Sequence, residues 1–71
     1  MVNTNKLRGK IAENGLTFKT LAQQLGYSPT TIGRKIKNKT PMTLEEVELF
    51  REHLSIPVHQ IMEYFFVEHV N

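Results

Sequence analysis

The chain contains no cysteine and no aspartate. Without cysteine, no disulfide can staple a small fold and no thiolate can hold a metal; redox compartment is constrained only to compatibility with a reducing cytosol. Without aspartate, and with no pair of glutamates set for a shared pocket, carboxylate acid–base catalysis lacks its parts. No glycine-rich loop is present to cradle a phosphate. No apolar run is long enough to span a bilayer, and the N-terminus lacks a signal-peptide layout, so no membrane association and a cytoplasmic location are expected. Internal repeats and low-complexity tracts are also missing. His59 and Glu63 stand one turn apart, acceptable for two metal ligands, but no third ligand falls at motif spacing. The expectation is a non-enzymatic protein with no cofactor, no metal and no small-molecule ligand.

At 71 residues, the chain 1–71 has room for one domain with one modest core. Its small net charge of +2 conceals a division. Through Lys39 there are eight basic residues (Lys6, Arg8, Lys10, Lys19, Arg34, Lys35, Lys37, Lys39) against one acid, Glu13. From Thr40 onward, Arg51 alone opposes Glu45, Glu46, Glu48, Glu52, Glu63 and Glu68. Solvated faces of either sign would account for the charges singly. Their segregation suggests one face turned to a polyanion and another kept off it.

The basic half contains FKTLAQQLGYSPTTIGRKIK, residues 18–37. Leu21, Ala22 and Leu25 share one face of a helix, because residues three and four apart stack on the same side. Gly26 suits the left-handed conformation that ends a helix sharply. Ser28 is placed to cap a second helix whose first residue is Pro29, where a missing N–H costs nothing. Ile32 and Ile36 supply its apolar face, and Ala22 is small where the two helices cross. This is a helix-turn-helix pattern.

Around it the periodicity predicts a helix from about Asn3 to Asn14 with Leu7 and Ile11 inward, closed by Gly15 and followed by Leu16 as an apolar plug. Thr17 caps helix 2. Helix 3 runs from Pro29 to about Lys37, and Asn38-Lys39-Thr40-Pro41 forms a polar loop. Thr43 with Glu46 makes a capping box for helix 4, whose stripe is Leu44, Val47, Phe50 and Leu54. Helix 5 begins after Pro57, with Val58, Ile61, Met62 and Phe65 inward. The tail 66–71 prolongs helix 5, forms a short strand, frays or joins an interface. The fold class is all-α, a compact five-helix domain.

Five helices with the second and third forming this turn resemble the DNA-binding domains of the temperate-phage repressor and Cro families, the lambda-repressor-like fold. The likeness covers roughly Leu7 to Phe66 and is carried by TFKTLAQQLGYSPTTI (residues 17–32), by Lys37-Asn38-Lys39 and by LEEVELFREHLSIPVHQIMEYF. The chain also resembles the small Cro-like modulators of repressor in the switches of Gram-positive phages. The resemblance implies a transcriptional regulator whose partner is a double-stranded DNA operator, with the N-terminal part of helix 3 in the major groove.

By position, Pro29, Thr30, Thr31, Gly33 and Arg34 then face base edges. Arg34 is the one long multidentate group among them, able to take guanine O6 and N7 together. Gly33 either leaves room for the groove wall or is a helix defect costing about 1 kcal/mol relative to alanine. Lys35 occupies a position that is often apolar in the family. Phosphate contacts are expected from Thr17 and Lys19 at the start of helix 2 and from Lys35, Lys37, Asn38 and Lys39. Lys6, Arg8 and Lys10 are expected first as a solvated helix face, and otherwise as a long-range field rather than as direct contacts.

The C-terminal part has more apolar residues than the core obviously hides: Leu49, Phe66, Val67 and Val70 fall off the inward stripes. Three uses compete for them, namely a homodimer on DNA, docking onto a repressor protein, and simple packing back onto helix 1. An antirepressor or co-repressor that binds a repressor protein is therefore the competing functional reading.

Overall fold

The computed structural model describes residues 1–68, and it bears out the all-α, five-helix expectation. The helices are α1 (Thr4–Glu13), α2 (Phe18–Leu25), α3 (Pro29–Ile36), α4 (Leu44–His53) and α5 (Ile61–Phe65), the last preceded by a 3₁₀ turn at Val58–Gln60. Among the described residues there is no strand.

Each of the first four helices starts where a capping side chain stands. Asn3, Thr17, Ser28 and Thr43 accept from the backbone N–H of Lys6, Thr20, Thr31 and Glu46. At Thr43 the capping box is complete, with Thr43 N–H donating to Glu46 Oε1 at 2.9 Å. Gly26 ends α2 at φ +79°, in the left-handed region, and its N–H reaches back to the Ala22 carbonyl. That sharp stop sends α3 across α2 after only three intervening residues.

The core forms where the helical stripes meet. Leu7 of α1, Leu21 and Ala22 of α2, Ile32 and Ile36 of α3 and Phe50 of α4 are fully enclosed, and Leu16 packs against them from outside. Phe50 is a large side chain at this centre, and its truncation to alanine would cost about 3–5 kcal/mol.

Three inward expectations fail. Val58 and Met62 are 69% and 63% exposed, because residues 58–60 wind as a 3₁₀ turn with three residues per turn. The tighter winding shifts the phase of the following helix, so Tyr64 and Phe65 are buried, with Ile61 packed against the core. Leu44 is 74% exposed at the first position of α4, while Met42, from the loop before it, packs against the core.

Residues 1–3 and 64–67 are drawn together. Asn3 N–H donates to the Tyr64 carbonyl at 2.8 Å, and Val67 N–H donates to the Met1 carbonyl at 3.0 Å. Of the possible courses for the tail, the helix stops at Phe65, and residues 66–67 run back beside the first residues. Val70 lies outside the described residues.

Candidate nucleic-acid interface

Ile32 and Ile36 anchor α3 to the core, which turns Pro29, Thr30, Thr31, Arg34 and Lys37 outward, all exposed. Phe18, Lys19, Pro29, Thr30, Gly33, Arg34, Lys37 and Lys39 line a shallow hollow of about 540 Å³ on this side. Gly33 is buried on its floor, and a Cβ built there would lie 3.8 Å from Phe18 Cδ2, an ordinary contact. Nothing in the packing of the fold requires glycine at that place.

Lys19, Arg34, Lys37 and Lys39 have no ion-pair partner among the described residues, so their charge is available to an outside anion. Arg8 joins this side as well: its guanidinium lies 5.9 Å from the centroid of the Phe18 ring. Lys6 and Lys10 behave differently. Lys6 pairs with Glu63 at 3.5 Å and Lys10 with Glu13 at 2.6 Å, and both ammonium groups lie near the Tyr64 ring. The three basic residues of α1 therefore do not act alike. The i,i+3 spacing of Lys10 and Glu13 is visible in the sequence, but no local pattern separates Lys6, whose partner is far along the chain, from Arg8.

Thr17 and Thr31 are more engaged within the fold than their sequence positions suggest. Thr17 exchanges bonds with Thr20 at the α2 cap, and its own N–H donates to Thr20 Oγ1 at 2.8 Å. The donors left open at the start of α2 are the N–H groups of Phe18 and Lys19, which have no intrahelical partner. Thr31 Oγ1 lies 2.9 Å from Ser28 Oγ.

Two residues expected to grip phosphate are directed inward instead. Lys35 is 9% exposed; its ammonium pairs with Glu46 Oε1 at 2.9 Å and donates to the Pro41 carbonyl at 3.3 Å. An apolar position on α3 thus holds a lysine because α4 supplies a carboxylate behind it. Asn38, in the left-handed region at φ +62°, turns its amide onto the first residues of the chain. Its Oδ1 accepts from Val2 N–H at 2.8 Å, and its Nδ2 donates to the Val2 carbonyl at 2.9 Å. Thr4 adds a bond from its hydroxyl to the Ile36 carbonyl at 2.6 Å, closing the end of α3.

Glu46 is an acceptor whose part beyond capping the sequence does not reveal. Besides Thr43 N–H and the Lys35 ammonium, it takes the Tyr27 hydroxyl on Oε2 at 2.7 Å. Burial works to raise its pKa. The bonds from Thr43, Lys35 and Tyr27 and the lysine's charge outweigh burial and hold the carboxyl at about 2. The capping box is visible in the sequence; the lysine and the tyrosine converging on it are not.

The match to a family model decides the class: residues 6–66 fit the Cro/C1-type HTH DNA-binding domain. The chain belongs to that family. No curated protein and no solved structure gives a significant match. As a Cro/C1-type domain it is a DNA-binding protein of the transcription-regulator kind, and none of its described helices is long and apolar enough to cross a membrane.

The apolar surplus does not form one patch. Leu49, 38% exposed, borders a hollow with Tyr27, Thr43, Glu45 and Glu46. Phe66, 42% exposed, borders another of about 330 Å³ whose lining includes Met1, Met42, Val47 and Phe65. Val67 is half-buried and tied through its backbone to Met1.

Proposed function

We propose that this Cro/C1-type domain is a sequence-specific transcriptional regulator of the phage repressor/Cro kind, reading an operator with α3 in the major groove. The supporting observation is the hollow along α3, where unpaired Lys19, Arg34, Lys37 and Lys39 surround the exposed Pro29 and Thr30. Arg34 reads guanine through its planar fork, and Thr30 bonds a base edge or sets its methyl against thymine. Lys19, Lys37 and Lys39, with the open N–H groups of α2, hold phosphates on either side. Selection from random duplex DNA, followed by titration at two salt concentrations, tests this reading. An enriched motif, bound with steep salt dependence and read less selectively by Arg34→Ala, is the expected result. Failure to enrich any motif over random DNA at moderate salt overturns it.

A second activity, binding a repressor protein, is favoured by the exposed Phe66 beside its apolar hollow. Co-purification with the repressor, abolished by Phe66→Ser and retained by an Arg34→Ala, Lys37→Ala double variant, is the result expected of it. If the pair does not co-purify, or the Phe66 variant binds equally well, this second activity is absent. Should Phe66→Ser instead turn a dimer into a monomer, the surface joins two copies of this chain.

A further inference from the structure

Lys35 precedes the inward Ile36 and follows the outward Arg34, so it sits on the flank of the proposed reading helix. There it meets a carboxylate that collects donors from three separate segments. Tyr27 comes from the turn between α2 and α3, Lys35 from α3 itself, and Thr43 from the start of α4. Pro41, in the loop joining α3 to α4, accepts a second bond from the same ammonium. No buried side-chain polar atom among the described residues is left unpartnered, so the network is complete.

We infer that the Lys35–Glu46–Tyr27 network fixes the rotation of α3 about its own axis and is thereby a positioning element for base recognition. This rests on α3 being the reading helix. The apolar contacts of Ile32 and Ile36 hold α3 down, but hydrophobic attraction has no direction and tolerates small rotations. Bonds to one carboxylate do have direction. A turn of ~10° about the helix axis moves atoms at its outer radius of ~5–6 Å by ~1 Å. Recognition sites tolerate misplacement of only ~0.5 Å, so that rotation is enough to spoil the bidentate fork of Arg34.

Energetics favour the same assignment. A buried ion pair is commonly no more stabilising than well-packed apolar residues of similar size, and its best-attested use is to fix one arrangement among close alternatives. Glu46 is already sufficient for the α4 cap without Lys35. The lysine adds a link between α3 and α4 that the cap alone does not provide.

The test uses the full chain with Lys35→Met and Glu46→Gln together. One positive and one negative charge leave at once, so the long-range attraction to DNA is preserved, and glutamine still accepts at the Thr43 cap. Operator and random-duplex affinities are measured side by side, with circular dichroism establishing that the variant is folded. The expected result is an unchanged random-duplex affinity and a loss of about tenfold in operator affinity. A purely stabilising role would leave the operator-to-random ratio of the folded protein as it was. A ratio within about twofold of the parent therefore overturns the inference. If the double variant does not fold, Tyr27→Phe removes one donor with little change of shape, and the same ratio is read. A reduced ratio supports the inference and an unchanged one overturns it. The parent chain is the control: if it does not discriminate, the proposed function and this inference both fall. If it discriminates and the variants do so equally, only the inference falls.

Discussion

The Tyr27 hydroxyl donates to Glu46 Oε2 at 2.7 Å, joining the turn of the helix-turn-helix to the first turn of α4. Acid is expected to break this joint. Glu46 is held at about 2, below its ordinary 4.5, so the folded state favours its charged form. Its contribution is complete above pH 4.5 and is lost as pH falls through that window towards 2. Allowing for solvent screening of a partly exposed group, the loss is on the order of 2 kcal/mol. Urea denaturation between pH 6 and pH 2 measures it, and Glu46→Gln should flatten the corresponding part of the profile.

The same bond has an alkaline counterpart. The hydrogen bond to Glu46 raises the Tyr27 phenol above its ordinary 10.0, with burial and the charges of Glu46 and Glu45 acting in the same direction. The neutral phenol's contribution is complete below pH 10 and disappears as pH rises through the elevated value. Absorbance titration should show one tyrosine ionising late, and Tyr27→Phe should remove it.

Asn38 offers a separation of two costs. Replacement by alanine removes both bonds to Val2 and leaves a Cβ in the left-handed region, for a loss of about 2–3 kcal/mol. Glycine removes the same bonds without the conformational penalty, so Asn38→Gly should be about 1 kcal/mol more stable than Asn38→Ala. Equal midpoints for the two variants in urea would contradict this account of the left-handed turn.

Much of this fold is written in short-range signals. Thr17, Ser28 and Thr43 cap helices within three or four residues of themselves, and Gly26 marks a stop on its own, so these boundaries are legible in the sequence. The positions that mislead depend on partners far along the chain. Asn38 reads as a polar loop residue beside two lysines, yet its partner is Val2, 36 positions away. Lys35 reads as a surplus cation because a cap already accounts for Glu46. An α-helical wheel turns Val58 and Met62 inward, but the α-helix begins only at Ile61. Within the candidate site, the outward direction of Thr30 and Arg34 follows from Ile32 and Ile36, and the spacing of Lys10 and Glu13 allows their pairing. The pairing of Lys6 with Glu63, 57 positions away, leaves no local trace.

Gly33→Ala tests whether glycine serves the fold or the ligand. The added methyl meets Phe18 at an ordinary distance, so the helix should gain about 1 kcal/mol in thermal or urea denaturation. It also raises the floor of the hollow beneath a groove wall, and operator affinity should fall as stability rises. A gain in both would make the glycine a mere defect.

Lys37→Ala and Lys39→Ala should weaken binding to operator and random DNA alike. Each should reduce the slope of log affinity against log salt by about 0.9 for every phosphate that the side chain neutralises. Lys35→Ala should leave that slope unchanged, because its ammonium is held by Glu46 and Pro41.

The bonds between Met1 and Val67 and between Asn3 and Tyr64 have a consequence for the order in which the chain is made. Met1 and Asn3 are synthesised well before Val67 and Tyr64, their main-chain partners. The segment that Asn38 holds at Val2 can be gripped on one side early, while its other side waits for the tail. Completing the domain is therefore a closure of residues 1–3 onto residues 64–67, with the loop entropy that implies, rather than an extension outward from α1. A nascent chain halted before Tyr64 would have its helix-turn-helix motif in hand and its first residues still without their final partners.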